Sequence, residues 1–202
     1  KEEFDANEYF LKEFSKNLSE LDEDVQTSEK LIEQMCVQGA TLLPHIESVV
    51  QEKFGNFEVV STEEQIMVPI DDTDFKFKGY IDLVVKTDDG KYHIIDWKTC
   101  SWGWDMRKRS DPMVTYQLTL YKKFFAIKHG IDPSKIDTHF ILLKRTAKKN
   151  HVEFVDVSSG AIKTNNATKL LMSAISNIKS KKAIKNRLSC KRCQFYKTEH
   201  CT

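Results

Sequence analysis

The chain has 202 residues, 40% of them hydrophobic, enough for one domain with a core of its own. Its 31 Lys and Arg nearly balance 30 Asp and Glu, so net charge does not announce a polyanionic partner, and any basic surface must be local. No apolar run approaches the roughly 18 residues of a membrane span and no signal-peptide pattern opens the sequence, so a soluble, intracellular protein without a membrane partner is expected.

In chain order, apolar residues recur at helical spacing from about Phe4 to Leu21 and from about Ser28 to Phe54. Gly39 and Pro44 should interrupt the second stretch, Pro44 suiting the first turn of a new helix. Residues Phe57 to Ile70 and Phe75 to Trp97 are rich in Val, Ile, Tyr and Phe and read as strands. A helix is predicted over Met113 to Lys128, stopped at His129-Gly130, then strands over 138 to 145 and 151 to 157. Ala161 to Ile184 reads as a last helix with a basic end. The pattern is that of a single α/β domain, with N-terminal helices in 1–55, a core in 56–185 and a cysteine-rich tail in 186–202.

The stretch GYIDLVVKTDDGKYHIIDWKTC, residues 79–100, puts charge inside what is otherwise an apolar hairpin. Gly90 suits the positive-φ position of a three-residue loop Asp88-Asp89-Gly90. That loop sets Thr87 against Lys91 and Asp82 opposite Asp96, with Cβ atoms about 4.5 to 5.5 Å apart and Lys98 on the same face as Asp96. Their neighbours Ile81, Leu83, Val84, Ile94, Ile95 and Trp97 predict burial, where unpaired carboxylates are costly. A divalent cation such as Mg²⁺ or Mn²⁺ removes the repulsion, and Lys98 beside it could orient water and balance charge on a phosphate.

The segments GYIDLVV, HIIDWKT and YQLTLYKKF resemble the PD-(D/E)XK nuclease superfamily, in particular the RecB-type exonuclease branch that includes AddB-type, mitochondrial genome maintenance, CRISPR-adaptation and phage nucleases. The resemblance implies a restriction-endonuclease-like core, a central mixed sheet flanked by helices, and a metal-dependent deoxyribonuclease. It assigns metal binding to Asp82 and Asp96, the catalytic lysine to Lys98, and substrate orientation to Gln117 and Tyr121, which lie four apart on one helical face. It also implies an upstream ligand, His45 with Glu47 in reserve, although the gap from Gly39 is longer than the family pattern and Pro44 intervenes.

The implied activity is hydrolysis of phosphodiester bonds in DNA, by an exonuclease acting on single strands or free ends in recombination, repair or replication, in the cytoplasm or, for a phage protein, that of the host. A structure-specific endonuclease of the same superfamily and a non-catalytic nucleic-acid-binding module are the alternatives.

Five cysteines, three of them in the last thirteen residues, point to a metal or cluster site rather than a disulfide framework. Cys190, Cys193 and Cys201 resemble the trio with which RecB-type nucleases hold a [4Fe-4S] cluster, with Cys36 or Cys100 as fourth-ligand candidates. A Zn²⁺ site that includes His200, or ordinary reduced thiols, remain open readings. Directly after Lys98, Trp102 and Trp104 are candidates for base stacking and Arg107, Lys108 and Arg109 for phosphates. Lys144, Arg145, Lys148 and Lys149 form a second basic patch.

Overall fold

The structure is a computed structural model that describes residues 4–22, 25, 27–182, 184 and 187–201. Asp5 caps helix α1 (Ala6–Ser19), its carboxylate accepting from the Asn7 and Glu8 N–H groups. Ser28 caps α2 (Glu29–Phe54) in the same way through Leu31 N–H. The break expected at Gly39 and Pro44 does not occur, and α2 runs through both. Pro44 gives up one helical hydrogen bond within α2, and α1 packs against Gly39, where a Cβ would lie 2.2 Å from the Phe10 ring.

Strands β1 (Phe57–Pro69) and β2 (Lys76–Thr87) form a long hairpin, and β2 turns back into β3 (Tyr92–Cys100). The second turn has the expected form: Thr87 N–H donates to Lys91 O, Gly90 N–H donates to Thr87 O, and Gly90 has φ 81°. Its register also follows, pairing Leu83 with Ile95, Val84 with Ile94, Val85 with His93 and Lys86 with Tyr92. A short helix α3 (Met106–Ser110), which helical periodicity does not reveal, and α4 (Pro112–His129) then lead to β4 (Ile136–Lys144), parallel to β3. An antiparallel β5 (Val152–Asp156) and helix α5 (Ala161–Lys179) follow, the helix stopping short of the predicted Ile184. The five strands lie in the order β1-β2-β3-β4-β5, a mixed sheet as expected.

Helices cover both faces. Leu118, Tyr121, Phe124 and Phe125 of α4 and Ile175 of α5 pack on Ile81, Val84, Ile94, Phe140 and Leu142. On the other face Ile46, Val49 and Val50 of α2 pack on Val85, Ile95 and Ile141. Among the described residues, no helix is long and apolar enough to cross a membrane.

Under the C-terminal end of α2 two buried histidines replace apolar packing. His139 Nδ1–H donates to Asp156 at 2.7 Å, which leaves its Nε2 to accept from His93 Nδ1–H at 3.0 Å. The free His93 Nε2 then faces the Thr87 hydroxyl at 3.1 Å, and Lys53 of α2 closes the chain on Asp156 at 2.9 Å. Burial, and then the neighbouring ring, hold the His93 pKa down at about 4 from an ordinary 6.5, and burial lowers that of His139. In acid the unfolded chain therefore takes up protons that the folded chain refuses, so stability is full above pH 6.5 and is lost as pH falls toward 4. Urea unfolding should show a loss of roughly 3 kcal/mol across that window, and His93→Gln should remove most of the slope.

Candidate active site

The site is built on a fault in β2. Before Asp82, Phe77, Gly79 and Ile81 face α4; after it, Val84 faces α4 while Leu83 and Val85 face α2. The strand's alternation thus slips by one residue at Asp82. Opposite on β1, Glu63 has φ 48°, and the ladder pairs Thr62 with Leu83 and Glu64 with Ile81 but skips the residues between. Glu64 anchors this kink to the end of α4, accepting from Lys128 Nζ at 2.7 Å and from His129 Nε2 at 2.6 Å.

On the other side of Asp82 the β2–β3 ladder stops at Leu83–Ile95. The pair that would follow is Asp82 with Asp96. Instead of facing it across a closed ladder, Asp82 Oδ2 accepts the Trp97 N–H at 2.8 Å. The strands part where the two carboxylates meet.

Asp96 is 2% exposed and shares the α4 side of the sheet with Lys98, since Ile95 and Trp97 between them belong to the α2 side. Lys98 Nζ lies 2.5 Å from Asp96 Oδ2 in an ion pair and 5.7 Å from the centre of the Phe140 ring. That oxygen, although buried, makes no aligned hydrogen bond. Burial raises the Asp96 pKa, the Lys98 ammonium opposes the rise, and the nearby Asp82 charge adds to it. A buried carboxylate oxygen without an aligned donor, next to a second carboxylate, suits a hard divalent cation, so Asp82 and Asp96 fit the metal that the sequence implies.

On α4, Gln117 Nε2 donates to Tyr121 Oη at 3.3 Å. The Tyr121 ring lies against the backbone of Gly79, where a Cβ would stand 2.6 Å from Cε1. Gly79 is thus the contact by which the helix with Gln117 and Tyr121 seats on the strand with Asp82.

Other expected residues lie elsewhere. His45 is on α2, over the opposite face of the sheet, and stacks on His151 at 4.8 Å between ring centres. Among the described residues, no third His, Cys, Asp or Glu joins the two carboxylates, Glu47 included. Trp104, expected to stack on bases, is 7% exposed and packs edge-on against Phe140 at 5.1 Å, its indole N–H without a partner. Arg109 is consumed within the protein: Nε donates to Trp104 O at 2.8 Å and Nη2 pairs with Glu153. Glu153 also takes Lys144, removing it from the second basic patch. Trp102, 70% exposed, and Arg107 and Lys108 face solvent, Lys108 also lying over the Trp104 ring at 4.6 Å.

The C-terminal cysteines lie in successive turns. Cys190 and Cys193 share one turn, Cys193 N–H donating to Cys190 O, and Cys201 closes another on Thr198. Among the described residues no three metal-ligating side chains converge there, with or without Cys36 on α2, Cys100 on β3 or His200.

The chain matches the PD-(D/E)XK nuclease superfamily over residues 2–198 and belongs to it. Among solved structures it resembles one described as "Putative exonuclease" from Eubacterium rectale, at 14% identity and TM-score 0.55, covering 93% of this chain and 68% of that one. The resemblance extends the shared fold to that protein. The structure of SSO0001 aligns at 18% identity over 93% of this chain and 92% of its own, with TM-score 0.46. No curated protein matches the sequence.

Two outcomes follow from the packing. Gly79→Ala should destabilise the protein by about 1–3 kcal/mol in urea unfolding, because the Tyr121 ring must move. Since burial raises the folded Asp96 pKa, the ionised group costs stability as pH rises above its unfolded value. Asp96→Asn should therefore raise the melting temperature at pH 7 but not at pH 3.5.

Proposed function

We propose that the chain is a divalent-metal-dependent deoxyribonuclease of the RecB-type branch, acting as an exonuclease on single-stranded DNA or DNA ends. The observation that carries this is the joining, at one parting of two strands, of Asp82, Asp96 and the Lys98–Asp96 ion pair. Superfamily membership supports nuclease chemistry, and the exonuclease description of the Eubacterium rectale relative supports action on ends.

Asp82 and Asp96 would hold Mg²⁺ or Mn²⁺, which when bound supplies a polarised water and neutralises charge on the phosphate. Asp82 keeps its orientation through the Trp97 N–H. Lys98, one third exposed, holds its ammonium at the Asp96 carboxylate, where it donates to the attacking water or to a phosphate oxygen as negative charge builds. The water oxygen forms a bond to phosphorus and gives its proton to solvent, while the opposite ester bond breaks and its leaving oxygen takes up a proton from solvent. Gln117, its amide held by Tyr121, orients the strand from α4, and Trp102, Arg107 and Lys108 offer an exposed aromatic ring and two cations beside it.

End-labelled single-stranded and duplex DNA, with a closed circle as control, tests the reading. Wild type with Mn²⁺ should release short products from ends and spare the circle. Lys98→Ala and Asp96→Ala should each lower the rate by about 100-fold or more. Cleavage of the circle would indicate an endonuclease, and intact DNA a binding module.

A further inference from the structure

A second feature, distant from the carboxylates, bears on how a strand is held. Helices α1 and α2 and the ends of β3 and β4 enclose a cavity of about 340 Å³, walled by leucines, Met35 and the rings of Phe10 and Phe14. The two rings lie 5.6 Å apart and nearly parallel, 24° between planes. Phe10 reaches this position because Gly39 has no side chain. Its size falls within the roughly 300–1,000 Å³ of ligand sites.

One polar atom beside the cavity has no hydrogen-bond partner. Gln38 lines the cavity, and its Oε1 is fully buried without a hydrogen bond. A purely hydrocarbon occupant would leave that acceptor unsatisfied, at a cost of about 1–3 kcal/mol. A flat aromatic occupant carrying N–H groups at its edge would satisfy it and stack on the phenylalanines.

The rim is cationic. Arg145 lines the cavity and is exposed, and Lys148 and Lys149 are exposed in the same turn. Among the described residues none of the three makes an ion pair, whereas Lys144 beside them is taken by Glu153. The Arg145 backbone is fixed to the end of β3, its N–H donating to Cys100 O at 2.9 Å. The cavity's inner wall includes Thr99, the residue after Lys98. Successive residues on a strand face opposite sides, so a strand crossing the end of β3 has Lys98 on one side and this pocket on the other.

We propose that the cavity is a nucleobase pocket, which takes one unpaired base of the substrate strand while Arg145, Lys148 and Lys149 hold its phosphates. The proposal rests on nucleic acid being the substrate and deepens that reading. It assigns single-stranded DNA, because a base paired in a duplex cannot enter an enclosed cavity without leaving its stack.

Binding is measured in the Asp96→Asn background, where no hydrolysis is needed, with a single-stranded oligonucleotide carrying 2-aminopurine and a matched abasic one. The base-bearing strand should bind about tenfold more tightly than the abasic strand, with quenched fluorescence. Gln38→Leu and the cavity-filling Leu43→Trp should each weaken it by about tenfold and restore fluorescence, leaving the abasic strand unaffected. Arg145→Gln should weaken both strands and reduce the salt dependence. Leu43→Phe, a smaller filling, guards against misfolding of Leu43→Trp, and the melting temperature of each variant is recorded alongside. Unchanged affinity and quenching in folded, filled variants would identify the cavity as a packing void and overturn the proposal. Such a result leaves the nuclease reading standing, which only the cleavage assay of the wild type can remove.

Discussion

Two carboxylates of like charge meet at the point where β2 and β3 stop pairing, and much of the molecule serves to hold that parting open. A closed ladder would press Asp82 against Asp96 in an apolar interior, with nothing to offset the repulsion. The slip at Asp82 relieves the conflict: one carboxylate is secured by a backbone N–H and the other by a lysine two residues along its own strand. The strained Glu63 backbone on β1 is the cost of the slip, and the Glu64 contacts to Lys128 and His129 keep it in place.

The segment after Lys98 is held with equal care. Cys100 and Ser101 carbonyls accept from Arg145 and Thr146 N–H groups, and a Cβ on Gly103, whose φ is 117°, would stand 3.3 Å from the Lys144 side chain. Glu153 then draws in both Arg109 and Lys144. Basic residues that look alike in the sequence thus divide into two groups: those neutralised inside the protein, which fix the loop, and those left exposed, Arg107, Lys108 and Arg145, which remain available to an anion.

The hairpin was legible because its cues are local. Gly90 fixes the turn, the turn fixes the register, and the register brings Asp82 and Asp96 together two strands deep in apolar neighbours. Period-two alternation also placed Lys98 correctly beside Asp96. What the sequence did not disclose depends on contacts far along the chain. Gly39 and Pro44 look like helix breakers, yet the helix survives because Phe10 of another helix fills the space the glycine leaves. Trp104 looks like a stacking residue, but only the arrival of Phe140 from β4 shows that it is core. His45 has a plausible place in the motif order, while the face of the sheet that α2 covers is decided by Ile46, Val49 and Val50. The slip at Asp82 leaves no mark in the residue pattern, since both faces of β2 are apolar around it.

Asp82, Asp96 and Lys98 all lie within one antiparallel hairpin closed by a three-residue loop. Contacts of such short sequence separation form early and at little cost in loop entropy, before the crossover that adds β4 and the helices. The ladder between the loop and Leu83–Ile95 can therefore form first, whereas the parting at Asp82 is fixed only once Lys128 and His129 of α4 reach Glu64. A cation held by Asp82 and Asp96 would then bind at the late step that sets the two carboxylates in place, and would favour the finished chain over its partly folded forms.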